Sequence, residues 1–280
     1  MTSQGGSFMA GNGGCSKLDI GWIVFDVETV VDGELLARCL YPGLSPEEAA
    51  AAETERVLKK SGGDSTFVPH TFQKPVIICV LRVDKSHALE KITCLDAPQF
   101  RPSVIVSQFW QGVCQVPDAA LVSFNGRGFD LPVLELAAFD HGIDIRSYWP
   151  RRGRFKPNHH LDLQEEFSNY GTARVYGGLN MLAKRLGLPG KQGIKGDDVS
   201  ALVAAGRLDR VAGYCVCDTL DTYFVFLRHE RVCGRVSPDQ EAELRRVAVR
   251  VAREQALTYP GVPEYLDALD FYPVKTSVSA

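Results

Sequence analysis

The chain has 280 residues and a formal charge of −3, from 31 Lys and Arg against 34 Asp and Glu. With 45% hydrophobic residues it reads as a soluble globular protein, long enough to bury one large core without disulfides or a structural metal. No apolar run approaches the roughly 20 residues that span a bilayer, which excludes a helical membrane protein, and the mild negative charge argues at this coarse level against a nucleic-acid partner.

In chain order, residues 1–18 read as a flexible tail, because Met1 to Gly14 has neither a basic segment nor an apolar one that would direct secretion. Eight cysteines are scattered without a C-x-x-C pair, so reduced thiols and a cytoplasmic location are expected. Trp22-Ile-Val-Phe25 is a short β-rich run ending in acidic residues. Ser45-Pro-Glu-Glu48 is a capping box that opens an inserted, alanine-rich helix. Pro75 to Val83 is apolar enough for a central strand, and Lys91 to Leu95 and Ala120 to Phe124 add two more. Beyond residue 131 the signals become helical: Leu131 to His141 ended by Gly142, then helices near 178–186, 197–205 and 207–231. Ser237-Pro-Asp-Gln240 caps a last amphipathic helix before Pro260. Strands first and helices later predict a mixed sheet packed by helices, an α/β fold in one domain.

Three acidic elements stand out. Asp26 and Glu28 lie where the first strand is expected to run out, and alternate strand residues share a face. Two carboxylates side by side suit a divalent cation, which prefers hard oxygen ligands and relieves their repulsion. Spacing alone is weak support, since Asp32-Gly-Glu34 and Asp239-Gln-Glu241 repeat it; only the first pair follows an apolar strand. The second element is Ser123-Phe-Asn-Gly-Arg-Gly-Phe-Asp130, where a strand enters a turn and Asp130 precedes a helix; read alone, Asp130 would serve as well as a helix N-cap. The third is Tyr214-Cys-Val-Cys-Asp218, whose phenol and carboxylate are one helical turn apart on one face. Of the nine tyrosines only Tyr214 has an Asp at that distance.

Together, in this order, the three elements resemble the DEDD superfamily of 3′–5′ exonucleases, and Tyr214 places the chain with the DEDDy branch. Phe25-Asp-Val-Glu-Thr29, Ser123 to Pro132, His160-Leu-Asp-Leu163, Leu188-Pro-Gly-Lys191 and the helix from Tyr214 to Arg228 are similar to the predicted exonuclease family related to the proofreading domain of family B DNA polymerases. Over residues 20–233 the resemblance implies a ribonuclease H-like mixed sheet flanked by helices: a tail (1–18), an exonuclease domain (19–233) and a C-terminal helical extension (234–280). One departure is Asp221, at a position where the family pattern leads us to expect Asn.

The resemblance further implies hydrolysis assisted by two Mg²⁺ or Mn²⁺ ions roughly 3.5 to 4 Å apart. Asp26 would bridge them, Glu28 and Asp218 would serve the water-activating ion, and Asp130 the second. Tyr214 would orient the attacking water, because a phenol with a pKa near 10 is a poor base at neutral pH. Thr29 and Asn125 would hold the terminal nucleotide. Phe129 would stack on a base or pack in the core. Arg151, Arg152, Arg154 and Lys156 would track phosphates or form a solvated loop, Asp162 would support the site from behind, and Cys215 and Cys217 read as packing residues. The implied partner is single-stranded DNA or RNA with a free 3′ end. Two alternatives stay open: a binding module that kept the fold without hydrolysis, and a 3′–5′ exoribonuclease. Two bound divalent ions would more than offset the net −3, which reverses the coarse inference from charge.

Overall fold

The computed structural model describes residues 19–153, 159–191 and 196–271. The expected N-terminal tail, the end of the chain from residue 272, and Arg154 and Lys156 lie outside the described residues. β1 (Ile20–Val31) is the middle strand of a five-stranded sheet. It pairs antiparallel with β2 (Gln73–Asp84), which pairs antiparallel with β3 (Leu89–Cys94). On its other side it pairs parallel with β4 (Ala120–Ser123), and β4 pairs parallel with β5 (His160–Asp162). The order β3-β2-β1-β4-β5, with helices on both faces, is the mixed α/β sheet of a ribonuclease H-like fold.

Two differences from expectation concern the sheet. β1 does not stop after Phe25: the β-branched run Thr29-Val-Val31 continues it against Gln73 to Pro75, with a register shift after Glu28. Asp26 and Glu28 therefore sit within the central strand. β5, only three residues long, was too short to leave a periodic signal.

The period of β1 sorts its side chains between two cores. Ile23, Phe25 and Val27 face α3 (Pro102–Gln115) and α4 (Asp130–His141), where Phe109, Trp110 and Leu134 are fully buried. Val24 packs on the opposite side, with Cys79 and Leu81 of β2 and with Cys215, Tyr223 and Phe224 of the long helix Leu208–Val232. Asp26 and Glu28 share the parity of Val24 and so face that second layer.

Between β1 and β2 the chain inserts α1 (Gly33–Cys39) and α2 (Pro46–Lys60). α2 opens with the expected capping box: Glu48 N–H donates to Ser45 Oγ at 3.2 Å, and Ser45 N–H to Glu48 Oε2 at 2.8 Å. α5 (Leu163–Phe167) and α6 (Gly178–Arg185) follow β5, and α7 (Gly196–Ala204) precedes the long α8 (Leu208–Val232). α9 (Pro238–Gln255) lies against β3, where Gln255 Oε1 accepts from the Ile92 N–H at 2.9 Å and closes part of that edge. Among the described residues, no helix is long and apolar enough to cross a membrane.

The last helix, α10 (Val262–Asp267), and the turn before it press directly on α8. A Cβ on Gly213 would lie 1.9 Å from the Pro260 carbonyl oxygen. About two turns further along α8, the Tyr265 hydroxyl donates to the buried Asp221 carboxylate at 2.6 Å. Gly213→Ala should therefore destabilise the protein by about 1–3 kcal/mol, since neither backbone can yield freely. Urea unfolding measures this, and a midpoint equal to wild type would refute the close approach.

Candidate active site

The site forms where β1, α4 and α8 converge. Glu28, Asp130 and Asp218 are buried and Asp26 is half-buried. Each of the four is raised above its ordinary value, Glu28 and Asp130 well above it, and in each case burial is the largest cause. Asp26 reaches about 7, pushed up by burial and then by Asp218, and partly relieved by Lys191. Its charge in turn raises both Glu28 and Asp130. Glu28 is raised by all three of the other carboxylates, Asp26, Asp218 and Asp130.

Local chemistry explains each placement. Asp130 is the first residue of α4, with Phe129 at the N-cap, so its role is not that of a cap. The turn that delivers it, Asn125-Gly-Arg-Gly128, is tied down from behind by Asp162. That carboxylate accepts from the backbone N–H groups of Asn125 (2.8 Å), Arg127 (2.9 Å) and Gln164 (3.0 Å). Asn125 itself has a φ of 64°, the left-handed region that Asn tolerates better than most residues. A Cβ on Gly128 would come within 2.5 Å of the Asn125 side-chain oxygen. Tyr214 and Asp218 lie one turn apart on α8 and share a hydrogen bond. Burial and the neighbouring Asp218 push the Tyr214 phenol far above its usual value, so it stays protonated.

Two site residues escaped the sequence reading. The Lys191 ammonium lies 3.2 Å from Asp218 Oδ2 and donates to the Tyr214 hydroxyl, which makes it the counter-charge of the acidic cluster. Asn180 of α6 fixes this residue by accepting from its backbone N–H at 3.0 Å. The Leu188-Pro-Gly-Lys191 motif carried the signal, but a Lys in a loop reveals no partner until α6 and α8 are packed. Cys215, expected to be a packing residue, has its thiol 3.6 Å from Asp26 Oδ2. Ligand atoms of Asp26, Glu28 and Cys215 lie within 4.8 Å of one another. Burial and Asp26 hold the thiol protonated, so it acts as a neutral donor to Asp26.

The residues expected to meet substrate have partners of their own within the protein. The Thr29 hydroxyl donates to Gln73 Oε1 at 3.0 Å. Phe129 is half-buried, with its ring 5.3 Å from that of Phe67, so it is not a residue of the closed core. Arg151 and Arg152 are engaged within the protein. Arg151 donates to the carbonyls of Ser147 and Pro117, and Arg152 pairs with Glu135 at 2.7 Å over the Trp149 ring. Asp221, one turn along from Asp218, points at Tyr265 and serves the C-terminal packing.

A carboxyl raised from 3.8 to about 7 holds a proton in the folded protein that the unfolded chain releases. On this account the metal-free protein loses stability as pH rises from about 4 to 7. Asp26→Asn should therefore raise Tm in chelator at pH 8 by roughly 4 °C or more, with the gain shrinking as pH falls towards 4. Differential scanning fluorimetry across this range checks it, and a gain that grows on acidification would contradict it.

The family model described as "Predicted 3'-5' exonuclease related to the exonuclease domain of PolB" matches residues 65–269. No curated protein matches the chain at a significant level. The match runs past residue 233 through α9 and α10, which the motif resemblance left out, and begins after β1. It includes Asp130, Lys191, Tyr214 and Asp218, while Asp26 and Glu28 join them through the sheet register. With most of its length matched, and with the sheet order to go with it, the chain belongs to this family of predicted 3′–5′ exonucleases.

Proposed function

We propose that the protein is a metal-dependent 3′–5′ exonuclease that hydrolyses the terminal phosphodiester bond of single-stranded nucleic acid, with DNA as its substrate. The observation that carries this reading is a group of four carboxylates near enough for Glu28 to feel the other three, with Lys191 as counter-ion, in a chain of this family. The donor set fits hard divalent cations: carboxylate oxygens dominate, and their mutual repulsion is what such a charge would relieve. Asp26, Glu28, Asp130 and Asp218 would hold two ions, Mg²⁺ or Mn²⁺, which when bound polarise the scissile phosphate and an attacking water. Asp26 would be a central member of this donor set: its charge raises Glu28 and Asp130, and it is itself raised by Asp218.

The chain's own residues supply positioning and charge. Tyr214, locked in its protonated form, accepts from Lys191 and donates to Asp218, and its hydroxyl orients the incoming water. Lys191 places an ammonium where negative charge builds up on the phosphate oxygens. Thr29 and Asn125 hold the sugar end of the last nucleotide, and Phe129 helps to form the aromatic surface on the side of its base. Asp162 does not touch substrate; it fixes the turn that carries Asn125 and leads to Asp130.

The test is to incubate 5′-labelled single-stranded DNA and RNA with the protein, with Mg²⁺, with Mn²⁺ and with chelator. A metal-dependent DNA ladder shortening from the 3′ end is expected, with Asp26→Ala slower by roughly a thousandfold. Intact substrates with wild type would favour a non-hydrolytic binding module, and shortening of RNA alone an exoribonuclease. In the same assay Lys191→Ala should lower kcat by roughly a hundredfold with a smaller change in KM. An unchanged kcat would remove Lys191 from the reacting centre.

A further inference from the structure

The segment between α2 and β2 presents an aromatic side chain that the packing of the protein does not account for. Phe67 is 59% exposed, although its neighbour Val68 is fully buried. An exposed Phe on a loose loop would be unremarkable, but this backbone is held at successive points. Ser61 Oγ donates to the Ser65 carbonyl and accepts the Ser65 N–H, both at 3.0 Å. Ser65 Oγ accepts the Phe67 N–H at 3.1 Å, and Gln73 Nε2 donates to the Val68 carbonyl at 3.0 Å. The turn His70–Phe72 that follows packs on α4, the helix that begins with Asp130. The Phe67 ring is thereby fixed 5.3 Å from the Phe129 ring, at an angle of 57°.

Two features tie this pair to the reacting centre. Phe129 immediately precedes Asp130. The same Gln73 that anchors Val68 also accepts from the Thr29 hydroxyl, one residue past Glu28. At 5.3 Å the tilted rings touch each other, which leaves no space for a base between them, and Phe67 is the exposed member of the pair. Stacking on such a face needs no particular base, because every base has a π-surface.

From this geometry we propose that Phe67, backed by Phe129, is the stacking platform for the base of the 3′-terminal nucleotide. The segment 61–73 thus completes the substrate site that β1 and α4 begin. The proposal rests on the exonuclease reading above and deepens it: the terminal nucleotide is recognised by its base as well as by its sugar and phosphate.

The test compares 5′-labelled single-stranded DNA ending in a normal nucleotide with the same strand ending in an abasic nucleotide, under the metal that supports activity. Wild type should prefer the normal end in kcat/KM on the order of tenfold. Phe67→Ala, at an exposed position that leaves the fold intact, should reduce that preference at least threefold, and Phe67→Trp should keep it. An active wild type whose Phe67→Ala variant keeps the full preference overturns the platform alone. A wild type that shortens neither strand overturns the exonuclease reading and the platform with it.

Discussion

Four carboxylates crowded into a partly dehydrated space repel one another, and much of the architecture serves to hold them there. Burial is the largest cause of the shift at each of Asp26, Glu28, Asp130 and Asp218, and repulsion adds to it at the first three. Such an arrangement works against the stability of the metal-free fold, so the surrounding structure must impose it. The middle strand of the sheet supplies two of the four from a position it cannot vacate, because β2 and β4 pair on either side. α8 supplies the third with Tyr214 beside it, and α4 supplies the fourth at its first turn. Lys191 and the Cys215 thiol offset part of the repulsion.

The elements around the site are fixed by polar contacts that act at a distance from the chemistry. Asp162 gathers three backbone N–H groups and so determines where Asn125 and Asp130 stand. Tyr265 and the Pro260 turn press α10 onto α8 next to Tyr214, where Gly213 has no side chain to keep them apart. The C-terminal helices therefore brace the helix that carries Asp218. This gives a physical reason for the family match to continue through them.

Much of the fold was legible because its signals are local. The capping boxes at Ser45 and Ser237, the αL stop at Gly142 and the apolar run of β2 each depend on a few adjacent residues, and each appears as expected. The four carboxylates and Tyr214 were legible as a pattern of spacings, and the structure brings them to one place. What escaped depends on contacts between distant segments. β5 is too short for periodicity, and it exists because β4 offers it an edge. The extent of β1 is set by pairing with Gln73 to Pro75 rather than by its own composition. Lys191 and Phe67 gain their meaning only from neighbours, respectively 23 residues away at Tyr214 and beyond β2, β3, α3 and β4 at Phe129. Asp221 departs from the family pattern, yet the Tyr265 hydroxyl bonds to it, so here the carboxylate has a structural partner.

The central claim is that these four carboxylates meet in order to bind divalent cations. Anomalous diffraction from crystals soaked in Mn²⁺ tests it most directly. The account predicts strong peaks among Asp26, Glu28, Asp130 and Asp218, and the loss of those peaks in an Asp26→Asn crystal treated identically. A wild-type crystal with no peak among the four residues at millimolar Mn²⁺, or with manganese bound elsewhere only, would contradict it.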